Sequence, residues 1–85
     1  MQSFMYTIKV PVGLHARHAG LIVKEAKLYQ SDITVSCGER SVNARHLMGL
    51  MTLGVKQGDL LRITVEGVDE DVAALKMKAL FFKNF

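Results

Sequence analysis

The spacing of apolar residues switches between two periods several times within 85 residues, which restricts the chain to a small mixed fold. Phe4, Tyr6, Ile8 and Val10 fall on every second position, the spacing of a strand with one buried face. Pro11-Val12-Gly13 stops that run. From Ala16 to Leu28 the spacing is helical: Ala19, Ile22, Val23 and Ala26 form an apolar stripe and leave Arg17, Gly20, Leu21, Lys24 and Lys27 on the other side. Alternation returns at Ile33, Val35 and Cys37, and after a Gly38-Glu39 turn Val42 and Ala44 read as the return strand of a hairpin.

Leu47 to Leu53 is apolar throughout and stops at Gly54, which predicts a short helix that cannot bury every side it presents. Some of its methionines are therefore expected to face water. Gln57-Gly58-Asp59 is a turn, and Leu61, Ile63 and Val65 alternate in a fourth strand ending at Gly67. Asp69 is placed to cap a final helix, with Glu70 and Asp71 in its first turn and Lys76, Lys78 and Lys83 later, as the helix dipole favours. Its core stripe is Ala73, Met77, Leu80 and Phe81, while Leu75, Phe82 and Phe85 lie off that stripe, as a dimer contact or as a wide buried face. The predicted order is β-α-β-β-α-β-α. That is an α+β open-faced two-layer sandwich, a four-stranded antiparallel sheet with three helices on one face.

Residues 1–85 suffice for one domain with one core and leave no room for an enclosed multi-substrate cleft, so the chain is expected to work through its surface. The single cysteine, Cys37, cannot form an internal disulfide, and the first residues lack the basic head and apolar run of a signal peptide, which points to the cytoplasm. No apolar stretch approaches the roughly 20 residues that span a bilayer, so direct membrane insertion is not expected. A net charge of +3 suits an acidic partner, a phosphate-bearing ligand or nucleic acid alike.

Gly13-Leu14-His15-Ala16-Arg17-His18 carries the chemistry. His15 falls between a strand-ending glycine and the first turn of a helix, where backbone N–H groups lack intrahelical partners and the positive end of the dipole points outward. Such a helix start binds anions. Arg17 can add a planar fork of donors to the same phosphate. An imidazole is a neutral nucleophile near neutral pH, and phosphoryl transfer to nitrogen needs positioning and charge stabilisation more than a further catalytic group. The plain alternative is a helix-capping His15 beside a solvated Arg17.

Gly13-Leu14-His15-Ala16-Arg17 resembles the active-site signature of the HPr family, the histidine phosphocarriers of the bacterial sugar phosphotransferase system. Ser31 to Val35 resembles the family's second strand, Leu47 to Val55 its second helix and following loop, and Glu66-Gly67 with Asp69-Glu70 the entry to its last helix. The resemblance implies that His15 accepts a phosphoryl group from enzyme I, itself charged from phosphoenolpyruvate, and passes it to sugar-specific IIA domains. It implies a carrier with a phosphohistidine intermediate rather than a stand-alone catalyst, with no cofactor and no metal, expected to be a monomer. Carried to this chain, the phosphate site is His15, Ala16 and Arg17, with His18 as an added member. The partner surface is Gly20, Lys24 and Lys27 of the first helix, continuing Arg17, with Leu47, Met48 and Met51 of the second. Exposed methionines suit a surface that accepts several partners, and lysines steer acidic ones; core packing is the alternative for Met48 and Met51.

Two positions depart from the family. His18 stands where proline is usual, which frees a backbone donor and adds a second imidazole near the phosphate; it either assists anion binding or is a neutral replacement on an exposed turn. His46 stands where low-GC Gram-positive members carry a regulatory serine, so kinase control at that position is not expected. Three other readings compete. An RNA-recognition sheet is disfavoured because Ile33–Cys37 and Leu61–Val65 lack stacking aromatics. A metal site would combine His15 and His18 with His46 or Cys37. An HPr-like phosphorylation-state regulator outside sugar transport would share every motif.

Overall fold

The alternation of the fourth strand becomes a two-faced ladder. In β4 (Leu60–Glu66), Leu61, Ile63 and Val65 are buried while Leu60, Arg62 and Glu66 are exposed. The computed structural model describes residues 1–85 and places β4 inside the sheet. β4 pairs antiparallel with β1 (Gln2–Thr7) on one side and β2 (Asp32–Cys37) on the other, and β2 pairs with β3 (Arg40–Asn43). The strand order is β1-β4-β2-β3. Registers Tyr6 opposite Leu61 and Val35 opposite Ile63 bring the inward residues of three strands into one apolar face.

Three helices cover that face: α1 (Ala16–Ala26), α2 (Leu47–Thr52) and α3 (Glu70–Asn84), in the expected order β-α-β-β-α-β-α. Ala19, Ile22 and Ala26 of α1, Leu50 of α2 and Ala73, Met77 and Phe81 of α3 join the strands in one buried cluster. Phe81 is its aromatic centre, edge-on to Phe4 at 5.9 Å, to Tyr6 at 5.8 Å and to Phe85 at 5.0 Å, the geometry in which ring edges meet ring faces.

Several sequence expectations shift. β1 ends at Thr7, not Val10, because the chain leaves the ladder there: the N–H groups of Lys9 and Val10 donate to a Phe85 backbone oxygen at 2.7 and 3.2 Å. Ile8 stays buried beyond the strand end. α1 stops at Ala26, not Leu28, as the Leu28 N–H turns back to Glu25 O at 3.0 Å in a tighter terminal turn. Val23 is half-buried, and His18 takes the place on the core side that it was expected to share. Phe85, read as off the stripe, is buried in the core, whereas Leu75 and Phe82 remain exposed.

Asp69 occupies the N-cap position of α3, but its carboxylate makes no cap bond. It accepts instead from the backbone N–H groups of Gln30 and Ser31, both at 2.9 Å, and from the Ser31 hydroxyl. Glu70 does the local work, accepting from the Gly67 N–H at 3.2 Å. The start of α3 is thereby tied to the loop that leads from α1 into β2.

Candidate functional site

The loop before α1 is held by one local backbone contact and one from a distant segment. Gly13 donates to Val10 O at 3.1 Å and Leu14 donates to Val55 O at 3.3 Å, which joins this loop to the one after α2. Gly13 has φ +71°, and a Cβ there would sit 2.2 Å from Val55 O, so both backbone sign and space demand glycine. The buried Leu14 side chain anchors the loop, and the chain emerges at His15.

His15 is the N-cap residue of α1, with extended backbone angles of φ −102° and ψ −174°. Its side chain makes no cap hydrogen bond and is exposed, which leaves the imidazole free to react. The first helical bond runs from Ala19 N–H to His15 O at 2.9 Å. The N–H groups of Ala16, Arg17 and His18 therefore have no intrahelical acceptor and are available to an anion at the positive end of α1. Ala16 and Arg17 are exposed, and the Arg17 guanidinium forms no ion pair or hydrogen bond within the chain.

His18 departs from the exposed-turn expectation. It is 8% exposed and lies under His15, ring centroids 4.1 Å apart and planes inclined by 46°. Phe85 covers it edge-on at 5.3 Å. The reason is helical spacing: residue 18 precedes Ile22 by one turn and so falls on the buried side. Burial, the neighbouring charge of His15 and that of Arg17 lower the His18 pKa, against an opposing effect of the Gly13 carbonyl. His18 thus meets the site through its backbone amide and its contact with His15, not as a solvated side chain.

Arg17, Gly20 and Lys24 recur at intervals of three and four on one face of α1, and Lys27, its C-cap residue, continues the row; Gly20 is half-buried and both lysines are exposed. Lys27 lies roughly 18 Å along the axis from His15 at the helical rise per residue, at the far edge of any surface centred on that imidazole. α2 packs beside α1 and exposes Leu47 by 41%, Met48 by 67% and Met51 by 38%, so the two methionines are not core residues. The zinc alternative finds no assembled cluster of three or more His, Cys, Asp or Glu side chains. Sequence reasoning missed the supports from the other end of the chain, the Phe85 ring and oxygen, and the Val55 carbonyl; the off-stripe position of Phe85 was the one available signal.

The family model described as the PTS HPr component phosphorylation site matches residues 2–83. Phosphocarrier protein HPr of Mycoplasma pneumoniae is 38% identical over 85 residues, covering 99% of this chain and 97% of that protein. The protein of the same name from Haemophilus influenzae is 46% identical over 68 residues, 80% of each chain. The crystal structure of HPr-C-His from Thermoanaerobacter tengcongensis superposes with a TM-score of 0.91 at 38% identity, covering 98% of this chain and 93% of that one. An HPr dimer structure from the same organism gives 0.77 at 38% identity, covering 98% and 95%. With one fold, one signature and near-complete coverage in agreement, this chain belongs to the HPr family of phosphotransferase-system phosphocarriers.

Proposed function

We propose that this chain accepts a phosphoryl group on a His15 ring nitrogen from enzyme I of the sugar phosphotransferase system, charged from phosphoenolpyruvate, and delivers it to IIA domains. The observation that carries the reading is an exposed, unbonded imidazole at the start of α1, beside amides without intrahelical acceptors and a free Arg17 guanidinium. The His15 lone pair forms the N–P bond while the bond from phosphorus to the donor breaks and its electron pair leaves with the donor. The amides of Ala16 and Arg17 and the Arg17 fork meet the charge spread over the three phosphoryl oxygens, where preorganised donors lower the barrier most.

Both partners dock on the shared surface of Arg17, Gly20, Lys24 and Lys27 with Leu47, Met48 and Met51. Exposure of the three α2 residues beside the α1 lysines supports this, since flexible thioethers adapt to more than one partner. We read the carrier as a monomer. No helix is long and apolar enough to cross a membrane. His46 is exposed at the N-cap of α2 and offers no hydroxyl, so the serine-kinase control of some family members has no acceptor at that position.

The test is to mix the chain with enzyme I and labelled phosphoenolpyruvate. One acid-labile phosphoryl group per chain is expected, and none in His15→Ala. A stable label, or one retained by His15→Ala, contradicts the assignment.

A further inference from the structure

A second imidazole lies directly beneath the acceptor. His18 is wedged between the rings of His15, 4.1 Å away, and Phe85, 5.3 Å away. Its Nδ1 is fully enclosed and has no hydrogen-bond partner, the single such side-chain atom in the molecule. A buried polar atom left unsatisfied destabilises a fold, and an apolar side chain would fill the same space without that cost. Packing therefore leaves this nitrogen unexplained, although the Gly13 carbonyl also bears on the ring.

We propose, building on the carrier reading of His15, that His18 is a positioning residue that holds the His15 ring while neutral and takes up a proton when His15 becomes phosphorylated. The proton comes from water and returns to it when the group is passed on; the N–P bond is made and broken at His15 alone. Burial first, then the charges of His15 and Arg17, hold the His18 pKa below its ordinary value of 6.5 before phosphorylation, against an opposing effect of the Gly13 carbonyl, and no carboxylate side chain is among the groups that bear on it. At the end of α3 the packed group is the ring of the C-cap residue Phe85, itself uncharged, and the Phe85 main-chain oxygen accepts from the Lys9 and Val10 N–H groups. The loops that close the site carry Lys9, Lys56 and Asp59, and the Asp59 carboxylate is engaged by the Lys56 N–H at 2.9 Å. A phosphoryl group on the adjacent ring brings nearly two negative charges, and an opposite charge within about 4–6 Å raises a pKa by about 1–3.

Linkage then makes the transfer equilibrium depend on pH. Between the two His18 pKa values, each lower pH unit favours the phosphorylated carrier up to about tenfold, and each higher unit favours release equally.

The experiment is an NMR titration of the His18 ring in the intact protein, before and after phosphorylation by enzyme I and phosphoenolpyruvate. The expected result is a pKa below 6.5 in the unphosphorylated protein and a value at least about one pH unit higher in the phosphorylated one. His18→Gln, still phosphorylated on His15, should lose that share of the pH dependence of the transfer equilibrium. An unchanged His18 titration in a chain that does carry phosphoryl on His15 overturns this proposal and leaves the carrier reading intact. Failure of any phosphoryl group to form on His15 overturns both.

Discussion

Gly13 has a left-handed backbone with Val55 O where a Cβ would lie. A left-handed non-glycine residue costs about 1–2 kcal/mol, and displacing a packed carbonyl adds to it. Gly13→Ala should lower the unfolding free energy by roughly 2 kcal/mol or more in urea titration, and should slow phosphorylation because His15 is two residues away. Arg17→Lys keeps the charge but not the fork; hydrogen bonds to charged groups of about 1.5–3 kcal/mol give a transfer rate about 10–100-fold lower, read by single-turnover kinetics. His18 contributes at equilibrium with the opposite sign to a histidine held in an ion pair. Its folded-state pKa lies below the unfolded value of 6.5, so the unfolded chain binds more protons as pH falls. Stability should be highest above pH 6.5 and decline below it, and His18→Gln should decline less over the same interval, measured by denaturant titration across that range.

At the scale of elements, α2 divides its residues between two jobs. It has six residues, too few to be stable alone, and Leu50 is its one buried side chain. Leu50→Ala should cost about 2–5 kcal/mol, whereas Met48→Ala should change stability by less than about 0.5 kcal/mol while weakening binding of enzyme I in calorimetric titration. α3 shows how a terminus can be tied by something other than its own cap. Hydrogen bonds from the Ser31 hydroxyl first, then from the Gln30 and Ser31 amides, hold the Asp69 carboxyl below its ordinary value of 3.8. That contribution is fully present above the unfolded value and is lost as pH falls through the folded one. Asp69→Ala should therefore lower the thermal midpoint clearly at pH 7 and much less near pH 2.

For the molecule as a whole, period-two and helical spacings, with the uniformly apolar run at Leu47 to Leu53, pointed to the order of the elements, and the glycine-histidine-arginine run pointed to the candidate site. Those signals are local, and each is carried by neighbours in sequence. The strand order β1-β4-β2-β3 is not local, because β1 meets β4 across most of the chain. The Asp69 link to Ser31 spans 38 positions, and the contact of Phe85 with His18 depends on how α3 lies over α1. Capping preference alone assigned Asp69 to its own helix; the competing amides at residues 30 and 31 become visible when the loop is brought to it. Burial of His18 was concealed for a related reason, since its polarity outweighed its helical position in the pattern.

A carrier must both accept and release, and that pair of events is tested by isolating the labelled protein and mixing it with a IIA domain. The expected result is movement of the His15 label to IIA, with free His15 regenerated and nothing transferred by His15→Ala. A label that stays on this chain, or transfer that survives His15→Ala, would contradict carriage through His15.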